Sequence, residues 1–567
     1  MIDLILTDPS EGPAALFTRN FRVHSGIPIG LYEGGPRSPV ALVYGDVSPE
    51  SLWQLNEHYS GIIALPSMKD DQVPDEPCHY ETMTVKAPIL ATMQRIERKG
   101  FSSFVKTFEG GSLVLVGKTG EVLTLLFTAD LIKATIRILS GELEQYTGTD
   151  DFGRPNPPPE SVTYTPAVSL HFNLIENAIR YMFRQLGIPL LSIPRWPSSA
   201  PLALFLSHDV DRVRKWTAKR SVYEVLMGFS DLFRFRFKRL FNTIASIAEA
   251  LKGRDPYWLF DELLFMENGN GFKSTWFFAP FGGEFNKREN DYDPIYHRRP
   301  VEITSMIRRI IDNDCELALH GTRLAFSSAR ELKRQLESFD NRLGFKLLGV
   351  RHHYLMFRHH QTLEAASDAG LLYDATLGFS DRVGFRNGMA SPFFPYHTGT
   401  AAGNIVEIPL NFMDTVFIRG DNSIDQVMRR ITETYLYTKA AGGLFGINIH
   451  PDNMDALEIP ELNHFYQSLL SRFRLDSARS MTGIELTRWW ISREMVLKTI
   501  EFGTDVWRIR GVVFPEEMDL LLSAPNIKNM RFSIEGAAGA SELNHDTLTI
   551  RPKSVDTDLG ITIIKKK

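Results

Sequence analysis

Apolar and polar positions follow three successive rhythms along the chain. Through the first 150 residues, short unbroken apolar runs alternate with stretches of helical spacing. PVALVYG (39–45), GIIALPS (61–67), APILATM (87–93) and GSLVLVGK (111–118) have the length and flanking turn formers of buried strands. Between them, SPESLWQLNEHY and ATMQRIERKGFSSF repeat their apolar residues at helical intervals. The alternation predicts a small α/β domain over 1–150 with a mainly parallel sheet. GSLVLVGKTGE invites a phosphate-loop reading, but the Gly111–Gly117 interval is one residue too long and reads as a β-branched strand. A Gly-Lys-Thr-Gly hairpin turn between LVLV and VLTLLF is expected instead.

The second rhythm starts after a Pro- and acid-rich stretch, DDFGRPNPPPES (150–161), read as a linker, and one amphipathic helix. Ile175, Ile179, Met182 and Leu186 share a face of that helix, which Gly187 and Pro189 stop. RWPSSAP (195–201) marks the next boundary. From about 200 to 495, seven strand candidates follow, most with a helical segment behind them: LALFLSHD, KSTWFFAP, CELALHG, LLGVRHHY, LYDATLG, IVEIPLN and LFGINIHP. Such repetition predicts a (β/α) barrel, complete or distorted, with its chemistry at the C-terminal strand ends. The third rhythm, in VWRIRGVVF, NMRFSIEG, TLTIRPK and LGITIIKKK, is that of short antiparallel strands. The expected organisation is an α/β domain (1–150), a linker and helix (151–199), a barrel (200–495) and a small all-β, sandwich-like appendage (496–567).

Composition enters mainly as exclusion. Hydrophobic residues at 43% and charged residues at 23% fit a soluble globular protein. The 63 Lys/Arg against 68 Asp/Glu leave a net charge of −5, so nucleic acid is not an expected partner. Two cysteines, Cys78 and Cys315, make no disulfide framework and no C-x-x-C site. No apolar run is long enough to span a membrane, and the acidic start MIDLILTDPSEGP is unlike a secretory signal, so a cytoplasmic location is expected. Histidine is the uneven residue: nine of 15 lie between His208 and His450.

Several of those histidines fall at or just beyond predicted strand ends. The first strand ends Ser207-His208-Asp209-Val210-Asp211, where alternation in extended chain puts Asp209 and Asp211 on one side. Their mutual repulsion calls for a cation or a shared proton. The third strand ends at His320, the fourth at Arg351-His352-His353-Tyr354 and the last at Asn448-Ile449-His450. Neutral imidazoles at strand ends beside carboxylates are suitable ligands for zinc or a similar divalent ion.

Taken in order, these segments resemble the polysaccharide deacetylases of carbohydrate esterase family 4. That family's T-F-D-D-G motif corresponds to Ser207-His208-Asp209-Val210-Asp211, and its A-T-F-F strand to Ser274–Phe278. Its H-S/T-x-x-H motif corresponds to His320-Gly321-Thr322-Arg323-Leu324, its R-x-P-Y/F motif to Arg351-His352-His353-Tyr354, and its closing histidine strand to Phe445–His450. The H-D-V-D start is similar to a branch associated with surface-polysaccharide synthesis. The resemblance implies a distorted (β/α)7 barrel that removes acetyl groups from sugars with a divalent metal, zinc being the expected ion. It implies Asp209 as general base, Arg351 as its partner, His450 as general acid, and the Tyr354 backbone N–H as an oxyanion contact. Two positions depart from the family pattern: Leu324 replaces the second histidine, and Val210 the second aspartate. Asp211, His320 and His353 are the expected ligand set, with His208 as the alternative to His353.

Three further features belong to the same picture. Arg382 and Arg386, in the loop SDRVGFRNG, could meet a substrate phosphate or carboxylate, or could simply pair with the protein's own acids and carbonyls. Asp414 at the end of IVEIPLNFMD is expected to line the cleft or cap a helix, whereas Trp489 and Trp490 read as core. Residues 212–239 carry nine Lys/Arg against two acids, with the core FRFRFKRLF. They suit either peripheral contact with an anionic membrane or a solvated helix packing on the barrel. The sequence thus predicts a metal-dependent hydrolase for a sugar or glycan. A C–N hydrolase of a non-sugar amide and a non-catalytic glycan-binding scaffold remain as alternatives.

Overall fold

A computed structural model describes the chain apart from residues 1, 8–10, 33–37, 46, 68–101, 107–111, 146–147, 151–152, 159–162, 217–225, 228–236, 254, 282–292, 295, 297–299, 396–404, 420–422, 456–457, 503–505, 510–513, 526, 528–529, 536, 545, 553–558 and 565–567. The expected strand at 87–93 and most of the basic 212–239 segment lie outside the described residues.

The protein is mixed α/β, built on a curled parallel sheet with separate β-sheets on either side of it in the chain. All seven strands expected in the middle region are present: Ala203–Val210, Ser274–Phe278, Glu316–Gly321, Gly349–His352, Tyr373–Asp374, Val406–Glu407 and Leu444–Asn448. Phe412–Met413 adds an eighth. Across the sheet the order runs from Val406–Glu407 through Tyr373–Asp374, Gly349–His352, Glu316–Gly321, Ser274–Phe278, Ala203–Val210 and Leu444–Asn448 to Phe412–Met413. Arg479–Ser480 pairs beside the foot of Ala203–Val210. Among the described residues the two edge strands do not pair, so the expected barrel is an open curl. Pro409, which has no N–H to give a ladder, divides IVEIPLNFM into those two short edges.

Strand alternation explains why the sheet is apolar on both faces. Leu204, Leu206, Trp276, Phe278, Leu317 and Leu319 pack outward among Ile303, Ile307, Tyr466 and other helical residues. Their neighbours Phe205, Phe277, Ala318 and Tyr373 point the other way, into a core with Trp489, Trp490 and the C-terminal strands. Covering helices are sharply bounded. Ala329–Leu343 is capped by Ser328 and ended by Gly344 at φ 78°, and Gly483–Thr499 opens with a Thr482/Glu485 capping box. Among the described residues, no helix is long and apolar enough to cross a membrane.

The N-terminal sheet is ordered Ile29–Leu31, Ile2–Leu6, Val40–Gly45, Gly61–Pro66, Val122–Phe127, Ser112–Thr119, Ser102–Lys106. Its first five strands are parallel and the last two antiparallel. The expected hairpin is present, but Gly117-Lys118-Thr119 still belong to the strand and the turn itself is Gly120-Glu121, with Thr119 opposite Val122 and Gly120 at φ 61°. This sheet shares its core with the central region, since Leu4, Leu42 and Ile175 cluster with Phe357, Leu377 and Phe393. The C-terminal strands make two four-stranded antiparallel sheets, one of which includes Leu190–Ser192 from the stretch expected as linker and helix.

Candidate active site

The parallel register brings the C-terminal strand ends together, and with them most of the expected residues. In Ala203–Val210, Ser207 and Asp209 face inward, as alternation requires. Arg351 reaches both through Nη1, at 2.8 Å to Ser207 Oγ and 2.9 Å to Asp209 Oδ1. Its Nε donates to the Ala375 carbonyl at 2.8 Å, and its guanidinium lies 4.3 Å from the Phe277 ring centre. Asn448 completes the cradle: its Nδ2 donates to Asp209 Oδ2 at 2.9 Å, and its Oδ1 accepts from the Asp209 N–H at 3.1 Å. Burial raises the Asp209 pKa, but the Arg351 guanidinium and the nearby His320 and His450 outweigh it and hold the carboxyl below its usual range.

Asp211 sits at the centre of three imidazoles. Its carboxylate lies 3.1 Å from His320 Nε2, 3.4 Å from His353 Nε2 and 3.7 Å from His450 Nε2. His320 Nδ1 faces the Arg351 carbonyl at 3.0 Å and His353 Nδ1 faces Asp293 Oδ1 at 2.9 Å. Those acceptors fix the hydrogens on Nδ1 and turn the Nε2 lone pairs toward Asp211. Among the described residues, His320 Nε2 and Asp211 Oδ1 are buried without a hydrogen-bond partner. Ligand atoms of Asp211, His320 and His353 lie within 4.8 Å of one another. Two imidazoles tied at Nδ1, with one carboxylate and orphaned atoms converging on a point, are the donor set a zinc-like ion uses. The residues present therefore fit a divalent metal. Against the pull of burial, Asp211 and Asp293 raise His353 to about 9.

Backbone strain positions His353. Tyr354 and Leu355 directly after it take left-handed φ values of 60° and 51°, which are costly for residues with a Cβ. The turn lays the Tyr354 ring against the His353 imidazole, centroids 4.1 Å apart. Just beyond the strand Leu444–Asn448, His450 Nδ1 faces Asp414 Oδ1 at 2.6 Å, and the other Asp414 oxygen accepts the His450 N–H at 2.8 Å. Burial lowers the His450 pKa, but Asp414, then Asp211 and Asp209, raise it to about 10.

Several expectations need correction. His208, the alternative ligand, is one residue out of phase and faces away from the site. Its Nδ1 meets the Ile449 carbonyl and its Nε2 meets Glu267 Oε1, each at 2.9 Å, so both ring nitrogens are committed to partners within the chain. Asp414, expected to line the cleft or cap a helix, is fully buried and bound to His450. Arg386, expected at the substrate, is buried and paired within the chain. Its Nε and Nη2 grip Glu144 at 2.8 and 3.0 Å, and further N–H groups donate to the Gly378 and Pro155 carbonyls. Leu324, at the family's second histidine, is half exposed, while Trp489 and Trp490 are core, as expected. Sequence reasoning missed Asp293 and Asn448 as site residues.

No protein-family model matches the chain. No curated protein matches it either. Among solved structures, the carbohydrate deacetylase Agd3 aligns at 10% identity over 100% of this chain and 98% of its own, with a TM-score of 0.39. A candidate polysaccharide deacetylase from Mycobacterium smegmatis aligns at 17% identity, covering 53% of this chain and 93% of its own, with a TM-score of 0.34. The peptidoglycan deacetylase PdaC from Bacillus subtilis aligns at 10% identity over 52% and 93%, with a TM-score of 0.27. Likeness at this level says nothing about the activity of this chain.

Proposed function

We propose that this protein is a metal-dependent hydrolase that removes an acetyl group from a sugar or glycan, in a reaction belonging to surface-polysaccharide synthesis. The observation that carries the hydrolytic part is a carboxylate paired with a guanidinium and an imidazole paired with a carboxylate beside one metal-type donor set. Arg351 meets Asp209 and favours its ionised form, and Asp414 meets His450 and favours its protonated form, beside the Asp211/His320/His353 donor set. A divalent ion, zinc by the chemistry of these donors, would supply Lewis-acid polarisation of the acyl carbonyl when bound. Asp209 then takes the proton of the attacking water. Arg351 and Asn448 fix its two oxygens so that it cannot rotate away. His450 delivers its Nε2 proton to the departing amine or alkoxide, and Asp414 stabilises the imidazolium beforehand and orients the ring. The Tyr354 N–H is assigned to the developing oxyanion. The acetyl-sugar part rests on the order and content of the five motifs in the sequence.

The test is to load the purified chain with zinc, measure bound metal, and assay acetate release from N- and O-acetylated oligosaccharides. Roughly one ion per chain and measurable acetate are expected, with Asp209→Asn lowering turnover by about 10²–10⁴. Undiminished turnover in that variant, or no acetate from any acetylated sugar with metal bound, would sink the reading.

A further inference from the structure

A second, differently charged pocket adjoins the site. Its volume is about 310 Å³, and its ionisable lining is four arginines, Arg154, Arg382, Arg386 and Arg419, against two aspartates, Asp150 and Asp381. Two connections tie it to the reactive groups. Leu355 in its wall follows Tyr354, whose ring lies on His353 and whose carbonyl accepts from Arg154. Arg419 ends the short helix Val416–Arg419, which begins just beyond Asp414, the residue that holds His450.

The four arginines are not equivalent. Asp150 Oδ2 takes the Nε of Arg154 at 2.7 Å, and Arg386 is gripped by Glu144, so these two build the wall. Among the described residues the ion-pair partner of Arg382 is the neighbouring Asp381, at 3.1 Å, in a pair whose side chains are 31% and 47% exposed. Such a pair is weak and readily exchanged. Arg419 is exposed and has no ion-pair partner among the described residues. Phe379, 5.7 Å from the Arg382 guanidinium and 5.8 Å from that of Arg386, gives the pocket an apolar side. With Glu144 behind Arg386 counted, four guanidiniums face three carboxylates, so one positive charge, on Arg419, is left over, and it is relieved by an anion that Arg419 and the loosely held Arg382 can fork together.

We propose that this pocket binds an oxyanion substituent, a carboxylate or a phosphate ester, on the glycan whose acetyl group is presented to Asp209 and His450. The proposal rests on the hydrolase reading for where the acetyl group lies. Its own content is a binding preference: the saccharide is acidic. Arg382 and Arg419 supply the contacts, while Arg154 and Arg386 hold the frame.

Binding rather than turnover tests it. The full chain is titrated calorimetrically with hyaluronan tetrasaccharide, an acidic N-acetylated probe carrying glucuronates, and with neutral chitotetraose. N-acetylglucosamine 6-phosphate is compared with N-acetylglucosamine in the same way. At low ionic strength, at least one acidic probe is expected to bind about tenfold more tightly than its neutral counterpart. The ratio collapses toward one in the Arg382→Gln/Arg419→Gln double variant. Both side chains reach solvent, and matched melting curves confirm that the variant is folded. Preference for hyaluronan alone assigns a carboxylate, and preference for the phosphorylated sugar alone assigns a phosphate ester. Equal affinity for acidic and neutral probes overturns the proposal, as does a preference that survives the double variant. Because acetate is never read, equal affinities leave the hydrolase reading standing, and a failed acetate assay leaves this preference intact.

Discussion

His208 and His320 end strands of the same sheet, both are buried, and both lie beside a carboxylate, yet the two neighbourhoods behave in opposite ways. On the outer side of the sheet, His208 is saturated by Ile449 and Glu267, and Glu267 in turn accepts from Tyr466 and Ser274. Its ring lies 4.1 Å from that of Trp276, within the layer between strands and helices. At the mouth, His320 has one nitrogen tied to a carbonyl and the other facing Asp211 with no hydrogen bond made. A buried polar group left unsatisfied is costly, so its persistence among converging donors points to a ligand. The same residue type is framework on one strand and a candidate ligand two strands along the sheet, decided by the parity of its strand position.

Paired substitutions break this comparison most directly. His320→Ala should abolish metal retention while leaving a folded chain, read by metal analysis beside circular dichroism. His208→Ala should do the reverse. It strands a buried Glu267 carboxylate and should lower stability by about 3–5 kcal/mol in chemical denaturation, with the metal still bound in the folded fraction. If His208→Ala strips the metal from folded protein, or His320→Ala unfolds the chain, the assignment of roles is wrong. Next in size is Asp293→Ala, which removes the acceptor that aims the His353 ring. Metal affinity should fall about 10–100-fold without loss of the fold. An unchanged dissociation constant in a chelator competition would remove His353 from the ligand set.

Much of this was legible in the sequence, for identifiable reasons. Strands of a sheet covered on both faces are nearly continuous apolar runs, so all seven were readable, and period-two alternation placed Asp209 and Asp211 on one side. The same parity argument, carried one residue further, excludes His208. Long-range partnerships were not readable. Arg386 meets Glu144 across 242 residues of chain, and Asp293 reaches His353 across 60. Neither spacing follows from local pattern. The acid-rich NDYDP around Asp293 was the only signal present, and nothing in it names a partner.

The smallest effect sharpens the comparison along a single strand. Glu316 and His320 begin and end almost the same segment, Glu316–Gly321, but Glu316 lies at the far end from the site. Its Oε1 meets the Tyr373 hydroxyl at 2.9 Å, while Oε2 accepts from Thr275 Oγ1 at 3.0 Å and the Ile484 N–H at 2.9 Å. Desolvation outweighs these hydrogen bonds and raises its pKa from 4.5 to about 7. Below about 4.5 both folded and unfolded chains carry this proton, and above about 7 neither does. Between those values the folded state binds it more tightly, so this group's contribution to stability falls as pH rises, by up to about 1.4 kcal/mol per pH unit. Glu316→Gln supplies an amide N–H toward Tyr373 and keeps an oxygen for Thr275 and Ile484, so the contacts survive and the titration is removed. Denaturation at pH 5 and pH 7 should then show a smaller loss of stability in the variant than in the parent, by an amount set by this one proton. If parent and variant lose stability in parallel over that interval, Glu316 is already ionised in the folded chain. The framework end of the strand would then carry a buried charge of its own, held by the hydrogen bonds from Tyr373, Thr275 and Ile484.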